Sequence, residues 1–248
     1  MSATTPILLV HGLGGGLKTW IRLIRYLTDP QRGSGFRYGG QLIYRRDKRG
    51  RWVLHHSHAG LDGRGSLYVL SFPDTYEFLH QPRGLKEAIE WLKRTTGAGR
   101  VSLITHSMGG LVARCYLAVL DGLGREMPYL GDVARLIQLA PPNQGTPWAH
   151  SRLFRWVRVA REVLAEDCEL LKLLNRRDLP EGNGERYAVY AGLLDRWTPV
   201  DRTPLRVDAG HTVQPIRFAV DHVAIHDSPA VLEAIATAVT GASDAPVH

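Results

Sequence analysis

The chain has 248 residues, 44% of them hydrophobic and 22% charged, with 31 Lys+Arg against 24 Asp+Glu and a formal net charge of +7. That balance excludes a disordered or low-complexity chain, and the length suits a single α/β domain spanning 1–248. No apolar run approaches the ~18–20 residues of a membrane span, and the basic excess comes without a zinc-knuckle, RNP or helix-turn-helix signature that would direct it to nucleic acid.

Short apolar runs alternate with amphipathic stretches along the chain, as in a parallel sheet covered by helices. "PILLVHG" (6–12) reads as a fully buried strand ending in glycine. Trp20, Ile21, Ile24 and Leu27 fall at helical intervals in 17–28. Within 31–64, two β-rich runs flank "DKRG", a hairpin signal with Gly50 at the position needing a positive φ. Arg45, Arg46, Lys48, Arg49 and Arg51 make its tip basic, which reads as a solvated surface or, more sharply, as a peripheral contact with an anionic lipid surface. His55, His56 and His58 lie beside it, but strand alternation splits His55 from His56 and no acid or thiol completes a site, so no metal is expected.

"SLYVLSFP" (66–73) is the next strand, and 84–97 a helix with Gly97 as its C-cap. "RVSLITHS" (100–107) is a strand leading into the helix "MGGLVARCYLAVLDG", and "VARLIQLAPP" (133–142) a strand stopped by its proline pair. Residues 149–176 form an amphipathic helix, or two broken near Glu166 and Asp167, suited equally to the core and to a cap over a site. "RYAVYAG" (186–192) and "PIRFAVDH" (215–222) are further strands, and the helix of 228–239 opens on Ser228 and Pro229. Cys115 and Cys168 fall in helix-like segments and suggest no disulfide. The N-terminus has neither a basic n-region nor a small-residue cleavage site, so a cytoplasmic location is expected, a secreted mature form being the alternative.

The stretch "THSMGG" (105–110) sits on a strand-to-helix turn that could lift the Ser107 hydroxyl above the sheet edge. Such turns call for small residues two before and two after the serine; Gly109 satisfies one requirement, whereas the β-branched Thr105 strains the other. A serine nucleophile needs a histidine base oriented by a carboxylate, and backbone donors for an oxyanion. "HGLGGG" (11–16) can turn its amides toward the serine, which points to the N–H groups of Leu13 and Met108 as those donors. Asp195, three residues past a strand, is favoured as the acid over Asp201, and Asp221 is set aside as too near the base's own loop. His222, at a strand end, is preferred as the base over His226 and His211. His11, Gly12, His106 and Trp156 are the expected substrate-binding positions.

The segments "ILLVHGLGG" (7–15), "THSMGGLVAR" (105–114), "LAPPNQGTPWA" (139–149), "AGLLDRWTP" (191–199) and "DHVAIHDSPAV" (221–231) resemble the α/β-hydrolases of the bacterial lipase/esterase group, and are similar also to the GPI-inositol-deacylase-like lipases. The resemblance implies a mostly parallel sheet flanked by helices, a Ser–His–Asp triad in the chain order found here, no cofactor, and hydrolysis of carboxylic esters, often of lipids. On that fold the 149–176 segment becomes a helical cap insertion and 31–64 a basic hairpin insertion with no counterpart from which to borrow a role. An acyltransferase or a phospholipid or inositol deacylase on the same triad, and a non-catalytic lipid-binding homologue, remain alternatives.

Overall fold

The structure is a computed structural model and describes residues 5–32, 35–58, 65–74, 76–151, 160–180 and 186–240. In chain order the strands and α-helices are β1 (Ile7–Val10), α1 (Ile21–Leu27), β2 (Tyr38–Arg46), β3 (Trp52–His58), β4 (Leu67–Ser71), α2 (Gln81–Thr96), β5 (Val101–His106), α3 (Met108–Leu117), β6 (Val133–Leu139), α4 (Glu169–Leu174), β7 (Tyr187–Gly192), β8 (Leu205–Arg206), β9 (Thr212–Val213), β10 (Ile216–Phe218) and α5 (Pro229–Thr240). Eight strands form one sheet in the order β10-β7-β6-β5-β1-β4-β2-β3, parallel throughout except for the β2–β3 pair.

The continuous apolar runs follow from burial on both faces. Leu8 and Val10 of β1 and Tyr68 and Leu70 of β4 pack into one core with Leu85, Ala88 and Leu92 of α2 and Leu111 and Val112 of α3. Ile7 and Leu9, with Leu67 and Val69, face the opposite core, built by Trp20, Leu23 and Leu27 near α1 and by Val231, Leu232 and Ile235 of α5. A side-chain period of two therefore feeds two layers of helix, and no polar face is left on the central strands.

Local punctuation behaves as its chemistry requires. Gly97 caps α2 at φ 73°, its N–H donating to the Lys93 carbonyl. Gly50 takes φ 75° in the β2–β3 turn, where the Asp47 carboxylate accepts the N–H groups of Arg49 and Arg51. The hairpin joins the sheet itself, since β2 lies parallel to β4 and β3 forms the edge.

Two expected boundaries move. The helix after the Ser107 turn stops at Leu117, because Val119 adopts φ 65° and Asp121 closes the next turn on the N–H groups of Leu123 and Arg125. Of the 149–176 stretch, residues 152–159, Trp156 among them, lie outside the described residues. The rest is interrupted, a π turn at Ala160–Leu164 being separated from α4 by a turn at the expected break near Glu166 and Asp167.

Candidate active site

The sharp connection between β5 and α3 places Ser107 at φ 52° and ψ −127°, a backbone conformation L-residues rarely adopt and one that costs about 1–3 kcal/mol. Two flanking hydrogen bonds hold it, from Ser107 N–H to the Leu139 carbonyl (2.8 Å) and from Gly110 N–H to the Ser107 carbonyl (2.9 Å). The turn also needs close packing. A Cβ on Gly109 would lie 2.6 Å from the carbonyl oxygens of Val10 and His11, so only glycine lets α3 start against the end of β1. Thr105, which strains the sequence pattern, is accommodated: its side chain is fully buried and its hydroxyl donates to the Ile137 carbonyl on the neighbouring strand at 3.4 Å.

His222 and Asp195 reach this serine from loops at the same edge of the sheet. His222 Nε2 lies 2.9 Å from Ser107 Oγ and His222 Nδ1 lies 2.7 Å from Asp195 Oδ2. The tautomer that suits both contacts carries its proton on Nδ1 and accepts at Nε2. The other oxygen of Asp195 accepts the N–H groups of Trp197 and Thr198, each at 2.8 Å, so the buried carboxylate is fully engaged and fixed in direction. The competing residues stand elsewhere. Asp201 is exposed and pairs with Arg202 at 3.3 Å, His211 is exposed, and His226 Nδ1 is 3.2 Å from Asp227. Asp221, set aside as the acid, accepts the N–H groups of Val223 and Ala224 and shapes the loop that presents His222, a role sequence reasoning missed. Those hydrogen bonds hold its carboxyl below the usual range.

Gly12 is tucked behind the serine, where a Cβ would meet Ser107 Cβ at 2.7 Å and the His106 carbonyl at 3.0 Å. This approach brings Leu13 to the wall of the cavity that holds Ser107 and His222. Met108 is the first residue of α3, so its N–H is one of those without an intrahelical acceptor.

His11 and His106, expected to touch substrate, lie beneath the cavity instead. His11 Nδ1 donates to the Gly12 carbonyl (2.7 Å) and its Nε2 accepts the Phe72 N–H (2.9 Å), tying the glycine loop to the end of β4. His106 Nε2 donates to the His222 carbonyl at 2.9 Å and so holds the histidine loop from below. Burial keeps both imidazoles below their ordinary pKa, His106 well below it, with His222 and His226 adding to the effect.

The cavity has a volume of about 360 Å³. Leu13, Pro142, Trp148, Ala149, Leu164 and Val223 give it an apolar lining, and among the described residues that line it His222 and Tyr76 are the ionisable ones. One wall, the loop after β6, is fixed by the buried guanidinium of Arg114, which donates to the Asn143 carbonyl and to Asn175 Oδ1, both at 2.9 Å. Desolvation brings the Arg114 pKa down to about 10. Asn143 in turn donates to Gln138 Oε1 and to the Thr203 carbonyl. Among the described residues no group of three or more His, Cys, Asp or Glu side chains could hold a metal ion. His56 lies against Trp91 while His55 is exposed, the two on opposite faces of β3.

Known proteins share this architecture. A model of the alpha/beta hydrolase family matches residues 7–247. Among solved structures the chain is similar to the lin2722 gene product of Listeria innocua, with a TM-score of 0.61 and 16% identity over 97% of this chain and 95% of that one. It is similar also to the mature lipase BlEst2 of Bacillus licheniformis, with a TM-score of 0.53 and 12% identity over 97% and 94%. The esterase Pf2001 of Pyrococcus furiosus gives 0.51 and 14% over 96% and 83%. At these identities the likeness is one of fold, and a search of curated proteins returns no match. With a parallel sheet carrying a strained serine at the end of a central strand, and a family model that accounts for the sequence from its first strand almost to its last residue, the chain belongs to the alpha/beta hydrolase family.

Proposed function

We propose that this protein is a serine hydrolase that cleaves carboxylic esters with apolar acyl groups, Ser107 acting as nucleophile, His222 as base and Asp195 as its orienting acid. The observation that carries the reading is the hydrogen-bonded line from Asp195 through His222 to Ser107, at 2.7 and 2.9 Å, aimed at an apolar cavity.

In the first half-reaction the Ser107 oxygen bonds to the ester carbonyl carbon as its proton passes to His222 Nε2. The carbonyl electron pair moves onto oxygen, where the N–H groups of Leu13 and Met108 stabilise it. Asp195 keeps the imidazole oriented and offsets its positive charge. The C–O bond to the leaving alcohol then breaks as the pair returns, and His222 protonates that alcohol. Water repeats the sequence on the acyl-serine, giving the carboxylic acid and regenerating the hydroxyl. An apolar lining favours neutral acyl chains over charged ones, because a charged group would enter without a partner.

Turnover of p-nitrophenyl butyrate, together with fluorophosphonate labelling mapped to its residue, tests this. Wild type should turn over the ester and label at Ser107, and Ser107→Ala should lose both while melting as wild type does. Undiminished turnover by that variant, or labelling at another residue, would overturn the assignment.

A further inference from the structure

Ten large apolar side chains are exposed among the described residues, and six of them, Tyr76, Trp148, Leu193, Leu194, Trp197 and Val223, follow the C-terminal ends of β4, β6, β7 and β10. That is the edge bearing Ser107. Four of the six line the mouth of the cavity, and Leu194 and Val223, 65% and 63% exposed, are the chain neighbours of Asp195 and His222. Scattered exposed apolar residues need no explanation, but four of them gathered at one opening do.

The basic hairpin belongs to the same edge. Leu42 of β2 is level with Leu70, Leu70 with Val10, and Val10 with Thr105. Ser107 lies two residues beyond that level and Arg46 four. The Asp47–Gly50 turn therefore projects past the nucleophile, three strand spacings or roughly 14 Å to its side. Arg45, Arg46, Lys48, Arg49 and Arg51 are all exposed there. Of the carboxylates near the tip, Asp47 pairs with Arg51 at 2.9 Å and Glu77 with Arg46 at 3.5 Å, while Asp74, just after β4, is exposed. Nearer the cavity, Asp201 pairs with Arg202 and Asp221 accepts two backbone N–H groups. Among the described residues Arg45, Lys48 and Arg49 have no carboxylate within ion-pair distance.

We propose that this edge docks on an anionic phospholipid surface, the hairpin tip taking the headgroup charge while the apolar rim enters the interface around the cavity. Cations beside exposed tryptophan and leucine are the combination an interfacial binder uses, the first for attraction and the second for anchorage. A soluble polyanion would engage the tip and leave the rim without a purpose. The inference deepens the hydrolase reading by naming the surface from which substrate enters, and its test does not depend on turnover.

The test is cosedimentation with vesicles of phosphatidylcholine, with and without phosphatidylglycerol, at low and physiological salt. Wild type should prefer the phosphatidylglycerol vesicles and bind them less as salt rises. Each cation near such a leaflet strengthens partitioning about fivefold, so the combined Arg45→Glu, Lys48→Glu and Arg49→Glu variant should lose more than about a hundredfold, with an unchanged thermal melt. Ser107→Ala should bind as wild type does, whatever becomes of its turnover, which separates docking from catalysis. Equal binding to both vesicle types, full binding by the charge-reversed variant, or retention on heparin without binding to vesicles would each overturn the proposal.

Discussion

Replacing Gly12 by alanine tests the proposed oxyanion site without replacing any reacting side chain. The new Cβ would fall 2.7 Å from Ser107 Cβ, 3.0 Å from the His106 carbonyl oxygen and 3.3 Å from Met108 N, all on the rigid turn. Carbon atoms settle at about 3.5–4.0 Å, so the glycine loop must retreat by about 1 Å. An oxyanion donor works at about 2.7–3.1 Å, and a retreat of that size removes the Leu13 N–H from reach. Loss of one such donor lowers kcat by about 10²–10³. The effect should fall on kcat with KM nearly unchanged, since the interaction forms only as charge develops on the carbonyl oxygen. Steady-state hydrolysis of p-nitrophenyl butyrate measures this, with Gly16→Ala as the control. Gly16 sits in the same loop in extended backbone, with nothing within 4 Å of an added Cβ, and should behave as wild type. A Gly12→Ala enzyme with kcat within about threefold of wild type would refute the placement of the donor on this loop.

Three further outcomes follow from the same geometry. Asp195→Asn keeps an acceptor for the N–H groups of Trp197 and Thr198 but turns an amide toward His222 Nδ1, which favours the wrong tautomer; kcat should drop by about 10⁴ with a small change in melting temperature. Thr105→Ala removes a long, fully buried hydrogen bond and should cost about 0.5–1.5 kcal/mol in urea unfolding while turnover stays within a few-fold, so a hundredfold loss of activity would contradict the view that Thr105 only packs beside the turn. His11 and His106 have folded pKa values below the ordinary imidazole value, so the unfolded chain binds protons that the native one refuses. Stability should therefore be complete above about pH 6.5 and decline below it by up to about 1.4 kcal/mol per pH unit for each histidine. Urea unfolding across that range should give a shallower slope for His106→Gln than for wild type.

Much of the sheet is legible along the chain because two-sided burial writes the central strands as largely apolar runs. β1, β4 and β7 read this way almost without interruption, β5 and β6 carry Ser102, Thr105, Arg135 and Gln138 among their apolar residues, and Gly50 and Gly97 mark a turn and a cap through a conformation that favours glycine. Asp195, His222 and Ser107 could be nominated because each follows a strand ending at one edge of a parallel sheet. What pairs with what was less accessible. Nothing local in 38–58 says that the hairpin continues the sheet beside β4, since that pairing depends on a register set elsewhere. His11 and His106 read as substrate contacts because they sit beside the motifs, whereas their ring nitrogens are spent on Gly12, Phe72 and His222. The early end of α3 depends on one left-handed residue, Val119, whose β-branched side chain gives no hint of it.

The sheet order also fixes when the strained turn at Ser107 can form. In the hairpin, Arg46 faces Trp52 across a five-residue connection, Asp47 to Arg51, a closure that takes about 1–10 μs. At the centre, Ile7 must find Ser102, on the far side of the hairpin, β4 and α2 in the chain. That long closure costs more entropy and forms more slowly. Ser107 acquires its strained backbone only when β5 has docked on β1 and Gly109 has closed against the carbonyls of Val10 and His11. The edge of the molecule can thus assemble early, while the Ser107 turn waits on the most distant strand pairing, so that its strained backbone forms only once the centre of the sheet is complete.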